Sequence, residues 1–93
     1  MLTLEQLEQL VAVADYGTLS AAAEALHISQ PTLTRSMQKL ETEFAVPLFI
    51  RSKNKLTFHE NGVLAIEQAR RILNEIQDML QVVRANHTLA IGS

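Results

Sequence analysis

The chain contains no cysteine. That excludes a disulfide framework and any thiolate metal site, and it fits a reducing cytosol. Tryptophan is also absent, and three Phe and one Tyr are the only aromatics. Leu, Ile, Val and Ala must therefore supply the core, a composition that suits helices. No apolar run is long enough to cross a bilayer. Glu5, Glu8 and Asp15 interrupt the apolar pattern of the N-terminus and no basic residue precedes it, so a secretory signal is not expected. Residues 1–28 lack Lys and Arg altogether.

What is present is 93 residues, 47% of them apolar, enough for one small globular domain with little surplus stability. The net charge of −2 looks wrong for a nucleic-acid binder, but the charges are unevenly spread. Arg35, Lys39, Arg51, Lys53 and Lys55 stand against only Glu41 and Glu43 within residues 29–58, a local surplus of +3. A phosphate responds to nearby charges, because salt screens the rest within roughly 10 Å.

The apolar spacing predicts a mainly α chain. Leu4, Leu7, Leu10, Val11 and Ala14 mark a first amphipathic helix over 3–16, with Thr3 as N-cap and Gly17 beyond its end. Thr18 caps a second helix, Leu19 to Leu26, whose run of alanines allows another helix to approach closely. His27 and Ile28 form a turn. Ser29 then caps a third helix, with Pro31 in its first turn, where a missing N–H costs nothing. Its buried stripe is Leu33, Met37, Leu40 and Phe44. Thr32, Thr34, Arg35, Gln38, Lys39 and Thr42 form a polar, partly basic face. Two short helices meeting at a tight turn over 18–37 are the layout of a helix-turn-helix, whose second helix enters a DNA major groove.

Two short apolar segments, 47–51 and 56–58, flank the polar turn Ser52-Lys53-Asn54-Lys55 and read as a β-hairpin. Beside a helix-turn-helix, this hairpin over 47–58 is a wing. Two strands alone are marginal, so Leu48, Phe49, Leu56 and Phe58 are expected to pack on the helices. A long helix follows over 59–87, with Ile66, Ala69, Leu73, Ile76, Leu80 and Val83 at alternating spacings of three and four. A second row holds Ala65, Ile72 and Met79. At 1.5 Å per residue the helix measures roughly 40 Å, too long to be covered by a 58-residue head. The apolar row therefore predicts a second copy of the chain as its partner. Leu89-Ala90-Ile91-Gly92 reads as a short strand, and residues 88–93 as the stub of a further domain.

Taken together, these elements resemble the N-terminal DNA-binding domain of the LysR-type transcriptional regulators. The carrying residues include Gly17-Thr18-Leu19, Ala22-Ala23, Ile28-Ser29-Gln30-Pro31, Leu33-Thr34-Arg35, Leu40-Glu41, Val46-Pro47-Leu48-Phe49, Arg51 and Gly62. The resemblance covers residues 2–86. It implies a winged helix-turn-helix over 1–58 and a linker helix that pairs antiparallel with its dimer mate. It also implies a small-effector domain further along the full-length protein, with no cofactor or metal in this stretch. Three positions depart from the family pattern. The first helix carries Glu5, Gln6, Glu8 and Gln9 where basic residues are usual. Lys53-Asn54 stands at the wing tip in place of Gly, and His59 stands where Thr usually opens the linker helix.

The expected chemistry is groove reading on promoter DNA. Gln30 suits adenine N6 and N7, and Arg35 suits guanine O6 and N7, each pair worth ~1–3 kcal/mol of discrimination. Pro31 and the methyls of Thr32 and Thr34 suit a thymine methyl. Gln38 shares this face. Thr18, Ser20 and Ser29 suit phosphate, although capping alone accounts for Thr18 and Ser29. Arg35 reaches a base or a phosphate, and Lys39 a phosphate or solvent. Arg51, Lys53, Asn54 and Lys55 suit the minor groove or its rim; the competing role is a charged edge that deters aggregation. An enzyme is not expected. His27, His59 and His87 have no metal-ligand spacing, and no Gly-rich phosphate loop or nucleophile elbow is present. The alternative is a helical protein-interaction module, which leaves the basic surplus of 29–58 without a purpose.

Overall fold

The computed structural model describes residues 1–52 and 55–90. Its elements are α1 (Leu4–Tyr16), α2 (Leu19–Leu26), α3 (Gln30–Phe44), β1 (Phe49–Ser52), β2 (Lys55–Phe58) and α4 (Glu60–Ala90). Each of the first three helices starts on a hydroxyl, which satisfies an N–H that the helix cannot. Thr3 Oγ1 accepts from the Gln6 N–H at 3.2 Å, while Gln6 Oε1 accepts from the Thr3 N–H at 2.9 Å, a reciprocal capping box. Thr18 Oγ1 accepts from the Ala21 N–H at 3.0 Å, and Ser29 Oγ from the Thr32 N–H at 3.2 Å. Each helix ends on a left-handed residue: Gly17 at φ 84°, His27 at φ 58° and Ala45 at φ 58°. At the turn between α2 and α3, the Ile28 N–H reaches Ala23 O at 3.0 Å and the His27 N–H reaches Glu24 O at 3.1 Å. These bonds tie up the last carbonyls of α2 and set the angle at which α3 leaves.

α1 lies at the centre and packs on α2, α3 and α4. It is therefore buried over a wide arc, through Leu7, Leu10, Ala12, Val13 and also Gln9. Leu10, Leu33, Leu40, Leu48 and Val13 are the largest fully buried side chains. Ala22 and Ala23 are buried with them and let α2 sit close to its neighbours. Phe44, expected in the buried stripe of α3, is instead exposed, because it stands at the last residue of the helix, past the packed stretch.

β1 and β2 pair antiparallel, with Phe49 opposite Phe58 and Arg51 opposite Leu56. The Phe49 and Phe58 rings lie 5.5 Å apart. Leu48 and Phe49 are buried, while Leu56 and Phe58 pack against the same core, and this apolar contact holds an otherwise marginal hairpin. A carboxylate fastens its near end. Glu41 Oε2 accepts from the Leu48 N–H at 2.9 Å and from the Phe49 N–H at 3.2 Å.

α4 is joined firmly to the base of the wing. The His59 N–H donates to Leu48 O at 2.9 Å, and Asn61 Nδ2 donates to Pro47 O at 3.2 Å. His59, a poor N-cap by residue type, nevertheless caps the helix here, its Nδ1 accepting from the Asn61 N–H at 3.0 Å. At Gly62 a Cβ would fall 2.1 Å from Leu48 O, so only glycine fits. Arg70 donates to Asp15 Oδ1 at 2.6 Å, clasping α4 to the end of α1. That bond raises the Arg70 pKa above its already high value. The pair is half exposed and contributes at most ~1 kcal/mol.

Two expectations about α4 are corrected. The helix runs on to Ala90, so Thr88, Leu89 and Ala90 are helical rather than strand. Among the described residues no strand offers them an edge, and continuing the helix satisfies their backbone groups locally. Ile91–Ser93 lie outside the described residues. Secondly, Ile66 and Ala69, expected in the row facing a second copy, pack within the head itself. They are 8% and 1% exposed and belong to the head's own core, where α4 packs on α1. No described helix is long and apolar enough to cross a membrane.

Candidate nucleic-acid interface

The face that α3 presents follows from how it is buried. Leu33, Met37 and Leu40 hold one side in the core. At 3.6 residues per turn, Pro31, Arg35 and Thr42 lie on the opposite side, flanked by Gln38 and Lys39. All five are exposed, as is Gln30 at the start of the helix. Thr34 is only half exposed, because it stands closer to the packed side. Of the two acids on α3, Glu41 is turned to the wing by its two backbone bonds and Glu43 is paired with the N-terminal amine at 2.9 Å. Arg35 and Lys39 therefore dominate the exposed side of α3.

The hydroxyls divide by role. Thr18 and Ser29 are engaged as caps, and Ser29 Oγ also shares a 2.7 Å hydrogen bond with Thr32 Oγ1. Ser20 is exposed in the first turn of α2. Thr18, Ser20, Gln30 and Thr57 line a groove of ≈ 480 Å³ between the start of α2, the start of α3 and the wing, with Gly17, Leu19 and Leu56. The free N–H groups at the start of α2 give that groove a positive end, suited to a phosphate. Thr57 was not foreseen; it becomes visible only once the strand register sets Thr57 opposite Ile50.

A second cleft, of ≈ 590 Å³, runs between the start of α1 and α3 and is lined by Gln6, Gln9, Thr32, Arg35, Ser36 and Lys39 among others. On its floor Ser36 Oγ donates to Gln9 Oε1. From the sequence Gln9 stands out only as a departure from the basic residues usual in this helix, and Ser36 not at all, since a Gln in α1 looks like part of a solvated face. On the wing, Arg51 is exposed and paired with Leu56. Lys53 and Asn54 lie outside the described residues, and of Lys55 only the backbone pairing with Ser52 is described.

Along α4 the apolar row continues past the head. Leu73 and Ile76 are half exposed. Beyond them Leu80 and Val83 are exposed, with Ile72, Met79 and Val82 beside them. Among the described residues no group of three or more His, Asp or Glu is placed to hold a metal.

Residues 4–62 match the family of bacterial regulatory helix-turn-helix proteins of the lysR type. The chain belongs to the LysR family. Among its LysR-family relatives, the hydrogen peroxide-inducible genes activator of Pectobacterium carotovorum is 41% identical over 76 residues, which is 82% of this chain and 25% of that protein. The HTH-type transcriptional regulator CfxR of Cupriavidus necator is 37% identical over 92 residues, 99% of this chain and 29% of that one. The chain thus spans between a quarter and a third of the length of these relatives. Among solved structures, the DNA-binding domain of CbnR in complex with DNA superposes with a TM-score of 0.87 at 38% identity, covering 92% of this chain and 99% of that one. The DNA-binding domain of BenM on its catB site 1 DNA gives 0.88 at 26% identity, covering 94% of each.

Proposed function

We propose that this LysR-family chain is the sequence-specific DNA reader of a bacterial transcriptional regulator. It works as a homodimer on an interrupted inverted repeat in promoter DNA. The observation that carries the reading is the exposed face of α3, where Arg35 and Gln38 stand opposite a side locked into the core. Each α3 enters one major groove, with Arg35 on guanine or its neighbouring phosphate and Gln30 on adenine. The start of α2 takes a phosphate. The wing, through Arg51, Lys53, Asn54 and Lys55, follows the adjacent minor groove. The far half of α4, through Leu73, Ile76, Leu80 and Val83, pairs with a second copy. This part of the protein catalyses no reaction and uses no cofactor; effector sensing belongs to the rest of the regulator. The relatives solved with DNA support the reading, and so does the regulator role of the two curated relatives.

The test is fluorescence anisotropy of a labelled promoter duplex, with the unaltered chain and Arg35→Ala compared at two salt concentrations. Saturable, salt-sensitive binding that Arg35→Ala loses is the expected result. A folded chain that binds no duplex at low salt would overturn the proposal.

A further inference from the structure

Among the described residues, Gln9 is the one buried polar side chain, 6% exposed in the middle of α1. Its Oε1 accepts the hydroxyl of Ser36, 27 residues away on α3. Elsewhere α3 is held by the apolar side chains Leu33, Met37 and Leu40 and, near its far end, by Glu41 on the Leu48 and Phe49 N–H groups and Glu43 on the N-terminal amine, so the Ser36 bond is the polar tie nearest Arg35. Apolar packing has no preferred direction of its own and fixes a helix's rotation only as closely as its side chains interlock. A hydrogen bond does have one, and it weakens steeply as its angle opens. Ser36 is also placed where rotation matters. It lies on the flank of α3, one residue from Arg35, and in the same cleft as Arg35 and Lys39.

We infer that Gln9 is a positioning residue for DNA reading, which fixes the rotation of α3 through Ser36 and so aims Arg35 into the groove. The lever is short. A rotation of ~20° about a helix with a side-chain radius near 5–6 Å moves the surface by about 2 Å. Bidentate recognition requires placement within about 0.5 Å and 10–20°. A loosened α3 therefore loses base discrimination well before it loses attraction to phosphate, which depends only on nearby charge.

The inference rests on the proposed DNA reading, and the experiment separates the two. A duplex selected from a random pool by the unaltered chain is compared with a scrambled duplex of the same length. Gln9→Leu, Ser36→Ala, Ser36→Thr and the double variant Gln9→Leu/Ser36→Ala are measured on both, with helix content and melting temperature checked for each. Gln9→Leu and Ser36→Ala are each expected to lower the ratio of selected to scrambled affinity by about two- to tenfold. Binding to the scrambled duplex should stay unchanged. The double variant should be no worse than the worse single one, because both remove the same bond. Ser36→Thr keeps the hydroxyl and should restore the ratio. Equal losses on both duplexes, independent effects that multiply, or a Ser36→Thr no better than Ser36→Ala would overturn the inference while leaving the DNA reading intact. Failure of the unaltered chain to select any duplex would overturn both.

Discussion

Gly62 and Gly17 are both required, for opposite reasons. At Gly62 the obstacle is steric: a Cβ would press on the backbone carbonyl of Leu48, which cannot yield as a side chain could. Gly62→Ala should cost about 3 kcal/mol or more, read by urea denaturation, as α4 is forced off the base of the wing. At Gly17 nothing lies within 4 Å, and the cost of Ala is only that of a left-handed backbone, ~1 kcal/mol. Ala45 has the reverse problem, since it holds φ 58° with a side chain attached. Ala45→Gly should therefore stabilise the chain by about 0.5–1 kcal/mol in the same assay. Glu41 is the residue whose loss should be felt at a distance. Glu41→Ala leaves the Leu48 and Phe49 N–H groups without their acceptor, at about 1–3 kcal/mol, and should raise amide exchange in β1 while α1 and α2 stay protected.

At the scale of the elements, α4 is two surfaces on one helix. Its near half completes the head's core, and its far half presents apolar side chains to solvent, with Val82 67% and Val83 63% exposed. Paired substitutions should separate them. Ile76→Asp with Leu80→Asp should turn a dimer into a monomer by analytical ultracentrifugation and leave the head folded. Ile66→Asp alone should unfold the head, because it buries an unpaired charge. The sequence could not draw this boundary. Ile66, Ala69, Leu73, Ile76 and Leu80 form one unbroken three-and-four pattern, and periodicity reports that a face is apolar, not what covers it. The starts of α1, α2 and α3 and the stop of α1 were legible, because Thr3, Thr18, Ser29, Pro31 and Gly17 each answer a local requirement of a helix end, whereas the left-handed Ala45 that ends α3 has a side chain and gives no such signal. Leu89-Ala90 was not, since a short apolar run fits helix and strand alike and tertiary context decides. The burial of Gln9 escaped notice for a related reason. α1 is covered on several sides, so a polar residue off its main stripe is buried too, and its partner is 27 residues away.

For the whole molecule, the uneven charge predicts how binding responds to salt. The five basic residues of 29–58, counted in each copy of the proposed dimer, set an upper limit on the slope of log affinity against log salt of roughly −9, against about −4.5 for one copy. Titration of the selected duplex over a range of salt, repeated with Ile76→Asp/Leu80→Asp, should show the steeper dependence fall by about half. The acids of residues 1–28 act in the other direction and should keep attachment to arbitrary DNA weak.

The molecule is long and narrow, 60 × 26 × 21 Å, because α4 is one uninterrupted helix of 31 residues whose first turn is bonded and wedged against the wing. Such a helix is a lever with no joint at its working end. It measures roughly 46 Å at 1.5 Å per residue. When two of them cross near their middles, tilting one by ~10° carries its head about 4 Å along the duplex, close to the 3.4 Å between successive base pairs. The wing and the reading helix travel with it as one piece. In the proposed dimer, distance between half-sites would then be measured in degrees at the crossing, and whatever holds the far ends of the two helices would set which operator the heads can straddle.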